Sequence, residues 1–133
     1  MSYARQMLDA YPRNLVDGGL LAAAIEALND CAQACTADAD ANLSERHVIE
    51  MVACIRLCLD CTDVCTATAR VISRRPAYDT NATRRLLKAC AATCRACAEE
   101  CERHAGMHEH CRVCAEACRR GEHACDDLLD AMK

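Results

Sequence analysis

The sequence of 133 residues contains no Phe and no Trp, and its aromatic fraction is only 2%. Aromatic side chains normally supply much of the buried area of a core, so this chain must build its core from other residues. No uninterrupted apolar stretch approaches the ~20 residues that a transmembrane helix needs. The N-terminal residues also lack the basic and apolar segments of a secretory signal. We therefore expect a cytoplasmic protein, with reduced thiols and no membrane contact.

Proline and glycine are scarce as well, with 2 and 4 residues, and no sign of charge dominates. The formal net charge is −4, from 16 basic and 20 acidic residues spread along the chain. The absence of a basic tract argues against a nucleic acid partner. We find no glycine loop that would cradle a phosphate, no paired carboxylates in the predicted core, and no isolated Ser/His/Asp or Cys/His arrangement. We therefore expect that the protein is not an enzyme.

Cysteine is the residue that the chain has in abundance, with 14 copies. Most of them follow one another at steps of three or four residues, which keeps side chains on one face of an α-helix of 3.6 residues per turn. The pattern predicts a column of thiols on the inner face of each of four helices. These candidate metal ligands are Cys31, Cys35, Cys54, Cys58, Cys61, Cys65, Cys90, Cys94, Cys97, Cys101, Cys111, Cys114, Cys118 and Cys125.

The remaining residues favour an all-α fold, because strong helix formers dominate and no segment alternates as a strand would. We predict a single domain over residues 1–133, with an N-terminal segment at about 1–19 that includes a short helix. The four long helices are predicted at about 20–41, 45–74, 80–105 and 107–131. Ser44 is the predicted cap of the second helix, and Pro76 ends it. Short loops favour antiparallel neighbours, hence an up-down-up-down four-helix bundle with a cysteine-lined core.

This topology predicts a bundle with two different ends. One end, which we call the polar end, collects Asp38, Asn42, His47, Met51, His104, Met107 and His108. The other end, which we call the apolar end, collects Leu20, Leu21, Ile25, Leu28, Val71, Ile72, Leu86, Leu87, Leu128 and Leu129. We interpret the polar end as the opening through which metal passes.

Thiolate-rich sites favour Cu(I), Zn(II) or Fe–S clusters. Zinc uses separate tetrahedral sites, and loops usually supply the cysteines of Fe–S clusters, whereas these cysteines form continuous columns. Cu(I) accepts two or three thiolates that can bridge, and helix neighbours three or four apart have Cβ atoms about 5–6 Å apart. One Cu(I) per thiolate would also neutralise the buried charge. We therefore predict a store of multiple Cu(I) ions, with a capacity near the thiol count and a few more ions at the polar end.

Four motifs carry a resemblance to the cytosolic copper storage protein family of bacteria, which extends from about Leu20 to the end of the chain. The motifs are Cys31-Ala-Gln-Ala-Cys35, Cys58-Leu-Asp-Cys61-Thr-Asp-Val-Cys65, Cys90-Ala-Ala-Thr-Cys94-Arg-Ala-Cys97 and His110-Cys111-Arg-Val-Cys114-Ala-Glu-Ala-Cys118. The resemblance implies a four-helix bundle, a homotetramer, a cytosolic location and reversible Cu(I) storage. In this family histidines near the open end supplement the thiols, and here His104, His108 and His110 occupy that region.

Three positions depart from the family, in which relatives often carry cysteine where this chain has Asp38, Asn42 and Gly121. Asp38 joins the candidate ligands because it would lie beside the opening. The sequence suggests no structural reason for Gly121. Met51 is either a core residue or a thioether ligand, and His47 is either a solvated residue or a ligand.

Other interpretations of the cysteines remain at this point. They could form an inert reduced core, or a disulfide scaffold, although bridges between residues three or four apart strain a helix. A different function would be an Fe–S or zinc thiolate protein with an electron-transfer or regulatory role. A chaperone that delivers a single copper ion would need one exposed site, which the sequence does not suggest. The copper donor or acceptor is not identified by the sequence.

Overall fold

The computed structural model describes residues 2–12, 18–74 and 80–132, and all regular structure in these residues is helical. The predicted all-α class is therefore confirmed. The elements are α1 (Tyr3–Asp9), α2 (Gly18–Leu43), a 3-10 turn (Val48–Met51), α3 (Val52–Ser73), α4 (Thr80–His104) and α5 (Glu109–Ala131). None of the described helices combines the length and the apolar character that a membrane span requires.

The four long helices pack into a bundle in which each packs mainly against two others. Helix α2 lies against α3 and α5, and helix α4 likewise lies against α3 and α5. The short helix α1 contacts α2, where Arg5 forms an ion pair with Glu26 at 2.9 Å. Ser2 caps α1, because its hydroxyl accepts a hydrogen bond from the Arg5 backbone N–H. Ala4 and Leu8 of α1 pack against the hydrophobic core.

Two helices begin later than the sequence predicts, for the same physical reason. The N–H groups of Ser44 and Glu45 donate to carbonyls of α2, at 3.0 and 3.2 Å, so these residues close α2 and Ser44 does not cap the next helix. The chain then forms the 3-10 turn, and α3 starts at Val52. The N–H of His108 likewise donates to the carbonyl of His104 and closes α4, so α5 starts at Glu109. Pro76 lies outside the described residues.

Cysteine takes the place of large aromatic residues in the core, as the composition predicts. All 14 cysteines are free and buried, and a neutral thiol packs as a small hydrophobic group. Six side chains predicted at the apolar end are also buried, namely Leu21, Ile25, Leu28, Ile72, Leu87 and Leu128. Leu20 was expected with them but is 37% exposed. The core is therefore a column of thiols that continues into aliphatic packing.

Close packing explains Gly121, for which the sequence suggested no reason. A Cβ atom at this position would lie 3.1 Å from the Sγ atom of Cys94, 3.5 Å from Leu28 and 3.6 Å from Cys31. The first distance is shorter than an ordinary van der Waals contact, so any larger side chain would have to displace Cys94. The absence of a side chain therefore lets α5 approach the thiols of α2 and α4 closely.

We expect the substitution Gly121→Val to destabilise the reduced protein by about 1–3 kcal/mol, because an overpacked core must shift or strain its side chains. Gly19→Val is the matched control, since a Cβ atom at Gly19 would meet nothing within 4 Å. Urea unfolding under reducing conditions measures both variants. Equal free energies of unfolding for the two variants would contradict the packing explanation.

Candidate metal centre

The sulfur atoms of the four helices meet in the core at short and regular distances. Neighbouring Sγ atoms lie 3.5 Å apart for Cys65 and Cys94, 3.7 Å for Cys31 and Cys61, and 4.0 Å for Cys58 and Cys114. Each of these pairs joins two different helices. The columns that the sequence predicts on separate helices therefore form one shared network of thiols.

Within this network, the potential ligand atoms converge in overlapping groups, each with its donor atoms within 4.8 Å of one another. They include Cys31 with Cys61, Cys65 and Cys94; Cys31 with Cys35, Cys61 and Cys118; Cys35 with Cys58, Cys97 and Cys114; Asp38 with Cys54, Cys58 and Cys101; and Asp38 with His110 and Cys111. Each group shares at least one residue with the next. The donors therefore form a continuous series along the bundle.

Two further cysteines extend the series toward the apolar end. The Sγ atom of Cys90 lies 3.9 Å from that of Cys65. Cys125 adjoins Cys90, and its hydrogen bond with this thiol, together with burial, raises the pKa of Cys125. The thiols thus continue beyond the group of Cys31, Cys61, Cys65 and Cys94 as far as the aliphatic side chains of the apolar end.

Burial favours the neutral form of the Cys111 thiol. It raises the pKa of Cys111 to about 12, and the nearby Asp38 carboxylate adds to this shift. A thiol with so high a pKa is protonated at neutral pH. Metal ions bind thiolates, so loading must replace the thiol protons.

Asp38 is a carboxylate buried in this core, with 1% of its surface exposed. Its Oδ2 atom accepts contacts from the thiols of Cys58 at 3.4 Å, Cys101 at 3.6 Å and Cys54 at 3.7 Å. Burial raises the pKa of Asp38 to about 6, although the hydrogen bond from His110 opposes that shift. The structure therefore places Asp38 among the thiols, where the sequence predicted it beside the opening.

His110 connects this carboxylate to the surface. Its Nδ1 atom lies 2.5 Å from Oδ1 of Asp38 and its Nε2 atom lies 3.0 Å from Oε2 of Glu45. The same Nδ1 atom is 3.6 Å from the sulfur of Cys111. Partial burial acts against the charged ring, but the hydrogen bonds to Asp38 and Glu45 raise the pKa of His110. His110 is thus in direct contact with the thiol series, although it lies off the strict three-four spacing.

The other candidates at the polar end differ in position. His108 is partly buried, stacks on His110 with ring centroids 5.5 Å apart, and pairs with Glu45 at 2.7 Å. His104 donates to Glu100 of its own helix at 2.9 Å. Met51 is buried, with 2% of its surface exposed. His47, which precedes the 3-10 turn, is exposed, and Met107, which lies between α4 and α5, is exposed as well.

Two polar residues near this end were not named as ligands from the sequence. Asn42 is buried, and its Oδ1 atom accepts a contact from the Cys111 thiol at 3.5 Å, whereas its Nδ2 atom has no hydrogen-bond partner among the described residues. The sequence signal for Asn42 is its three-four spacing from Cys35 and Asp38 on the inner face of α2. Glu45 has no such signal, because it follows α2 and reaches α5 only through the tertiary fold.

Comparison with known proteins places this centre in a family. The family model described as copper storage protein matches residues 19–130. The chain is similar to the copper storage protein Ccsp of Streptomyces lividans loaded with 10 copper equivalents, with 57% identity, a TM-score of 0.92, and coverage of 96% of this chain and 98% of that one. A five-copper structure of a cytosolic copper storage protein from Streptomyces lividans has 61% identity and a TM-score of 0.82, over 84% of this chain and 93% of that one.

Two further relatives are less similar to this chain. The Cu(I)-bound copper storage protein BsCsp3 is 32% identical with a TM-score of 0.71, over 80% of this chain and 95% of that one. The cysteine-rich protein YhjQ of Bacillus subtilis is 34% identical over 88 residues, which are 66% of this chain and 74% of the relative. The buried thiol series and these similarities agree, and the chain belongs to the copper storage protein family.

Proposed function

We propose that the protein stores many Cu(I) ions on the thiolates of its core. The observation that carries this function is the continuous series of overlapping donor groups from Cys90 to His110. A single-ion chaperone or an isolated structural site would need only one such group. Because neighbouring groups share sulfurs, an ion in one group would be bridged to an ion in the next.

The distances between sulfurs suit Cu(I) with little movement of the backbone. With a metal–sulfur bond of about 2.3 Å, by analogy with zinc, three sulfurs around one ion lie about 4.0 Å apart and two opposed sulfurs about 4.6 Å. The core sulfurs lie 3.5 Å apart for Cys65 and Cys94 and 4.0 Å apart for Cys114 and Cys118. The core therefore needs only small rotations of cysteine side chains to take up the ion.

Charge distinguishes copper from the zinc alternative. A Zn(II) ion with four thiolates leaves two net negative charges in a buried site, whereas one Cu(I) per thiolate leaves none. Unpaired buried charge is costly, and in this core the carboxylate of Asp38 already adds a negative charge when ionised. An electron-transfer role on Fe–S clusters is also disfavoured, because the thiols lie on helices in one shared series and not in separate loops.

We further infer an antiparallel up-down-up-down bundle that is loaded at its polar end. Contacts across α2 and α3 support opposite directions, since Asp38 meets Cys54 and Cys58 while the earlier Cys31 meets the later Cys61. The partly exposed His108 and His110 lie at one end of the donor series, next to buried Asp38. Copper that reaches these side chains would pass directly to the thiols.

The same relatives support the cellular setting that we propose, namely a binding protein of the cytosol and not an enzyme. A cytosolic copper storage protein of Streptomyces lividans matches this chain at 61% identity. The cargo is copper, and neither nucleic acid nor a membrane is a proposed partner. A single domain that assembles as a homotetramer remains our prediction from the family resemblance.

Anaerobic titration of the reduced, metal-free protein with Cu(I) tests the storage function. We expect saturation close to the 14 thiols of the chain, since each thiolate is neutralised by about one ion. A chelator competition assay and elemental analysis give the stoichiometry. Saturation at three or four ions, or preferential retention of zinc or iron by protein from copper-fed cells, would contradict the proposal.

Because neighbouring donor groups share sulfurs, we expect the loss of copper capacity in a cysteine variant to depend on the position of that cysteine in the series. Cys31 belongs to two groups of four, whereas Cys125 lies at the end of the series beside Cys90. We expect Cys31→Ser to reduce the capacity by about two ions or more and Cys125→Ser by about one, because bridged ions depend on a shared ligand. The same titration measures both. Equal losses of copper capacity in the two variants would argue for independent sites. Circular dichroism is the control that both variants fold.

The predicted homotetramer should be visible by native mass spectrometry of the reduced protein at micromolar concentration. Apolar side chains on the outside of the bundle would provide part of its interfaces, including Leu59 and Val113, which are 51% and 47% exposed. Assembly into four chains is the expected result. A purely monomeric protein would contradict it and would leave the copper capacity per chain unaffected.

A further inference from the structure

We propose that Glu45 is a positioning residue for copper binding by His110. It holds the imidazole ring with Nδ1 toward Asp38 and Cys111 and with Nε2 toward the surface. This inference rests on the proposed storage function, because it concerns how the last donor group of the series presents a ligand. Glu45 itself need not touch the metal ion.

The contacts of the His110 ring establish this orientation. Its Nδ1 atom lies 2.5 Å from the Asp38 carboxylate and 3.6 Å from the Cys111 sulfur, so it faces the buried donors. Its Nε2 atom lies 3.0 Å from Oε2 of Glu45. A ring rotated by half a turn would direct its other edge at the core and lose this pairing. The two carboxylates therefore define which nitrogen reaches the donor group.

A copper ion in the group of Asp38, His110 and Cys111 would use only one of these contacts. The ion would take Nδ1 and displace the hydrogen bond to Asp38, while the N–H at Nε2 would remain bonded to Glu45. Metal-binding histidines commonly donate their other ring N–H to a carboxylate, which fixes the tautomer and makes the ring a better ligand. Glu45 already stands at the place that this partner occupies in metal sites.

Glu45 is itself held in place from two sides. Its backbone N–H donates to the carbonyl of Asn42 at 3.2 Å, so it is anchored to the end of α2. Its Oε2 atom also contacts Nδ1 of His108 at 2.7 Å. His108 is the residue that precedes α5, and its side chain makes no capping hydrogen bond to that helix. The carboxylate thus links the end of α2 to the start of α5, across the polar end of the donor series.

Glu45 and His110 lie at the boundary with solvent, so a substitution of Glu45 should affect copper binding by His110 specifically. The side chains of Glu45 and His110 are 29% and 30% exposed, whereas Asp38 is 1% exposed. Changing Glu45 therefore removes no buried apolar contact and no thiol. Its loss should alter the His110 ligand and leave the cysteine core intact.

The test compares Cu(I) binding by Glu45→Ala, Glu45→Gln and the control Glu50→Ala, each with and without His110→Ala. Glu50 is an exposed carboxylate of the adjacent 3-10 turn, so its removal matches the charge change. Competition with a Cu(I) chelator measures affinity. The ion that depends on His110 is defined by the difference between the parent protein and His110→Ala.

We expect Glu45→Ala to weaken binding of that ion about 10–100-fold and to have no further effect in the His110→Ala background. Glu45→Gln should lose less, because its amide oxygen still accepts a hydrogen bond from Nε2–H, and Glu50→Ala should match the parent. Nitrogen NMR of the Cu(I)-loaded protein should detect a single His110 tautomer with the proton on Nε2 in the parent and a mixture in Glu45→Ala.

The proposal is overturned if Glu45→Ala equals Glu50→Ala, or if its effect persists without His110. Equal losses in Glu45→Ala and Glu45→Gln would also overturn it, since charge and not ring orientation would then matter. Identical copper binding by the parent and His110→Ala would remove the ligand that Glu45 is meant to position. Failure of the storage function is distinguishable, because the parent itself would then saturate at a few ions.

Discussion

Burying a protonated thiol costs little free energy, whereas burying an unpaired thiolate costs much more. The rest of the structure depends on this difference. Without metal, the 14 buried cysteines pack as small hydrophobic groups. At Cys111, burial and the nearby Asp38 carboxylate raise the thiol pKa to about 12, which favours the neutral form of this side chain. A monovalent metal ion can replace each proton without changing the net charge of the interior. The same side chains can therefore form the core of the metal-free protein and the ligands of the loaded one.

This exchange explains why the protein is a helical bundle with so little aromatic content. Helices place thiols at three-four spacing along one axis, and the packing of four such helices brings sulfurs from different columns to within 3.5–4.0 Å. A large aromatic side chain in the column would interrupt that series. Gly121 is the extreme case, since even one added carbon would lie 3.1 Å from the sulfur of Cys94. The packing distance between the helices therefore depends on the size of the cysteine side chains.

The sequence predicted much of this arrangement because helical spacing is a local property. The positions of the cysteines define which face of each helix is buried, and the structure confirms that burial. What the sequence could not supply depends on contacts between distant segments. The late starts of α3 and α5 follow from backbone hydrogen bonds that close the preceding helices. The packing at Gly121 and the contact of His110 with Asp38 and Glu45 likewise arise only when α2, α4 and α5 meet.

The two ends of the donor series differ in chemistry, and this difference gives the store a direction. Toward the apolar end the donors are thiols alone, followed by aliphatic side chains. Toward the polar end, Asp38 and Asn42 bring oxygen atoms among the sulfurs, and His110 adds nitrogen. Cu(I) prefers thiolate to these harder donors, so an ion gains affinity as it moves inward. We therefore infer that ions at the polar end would be the most readily exchanged and that the thiol groups behind them would hold most of the copper.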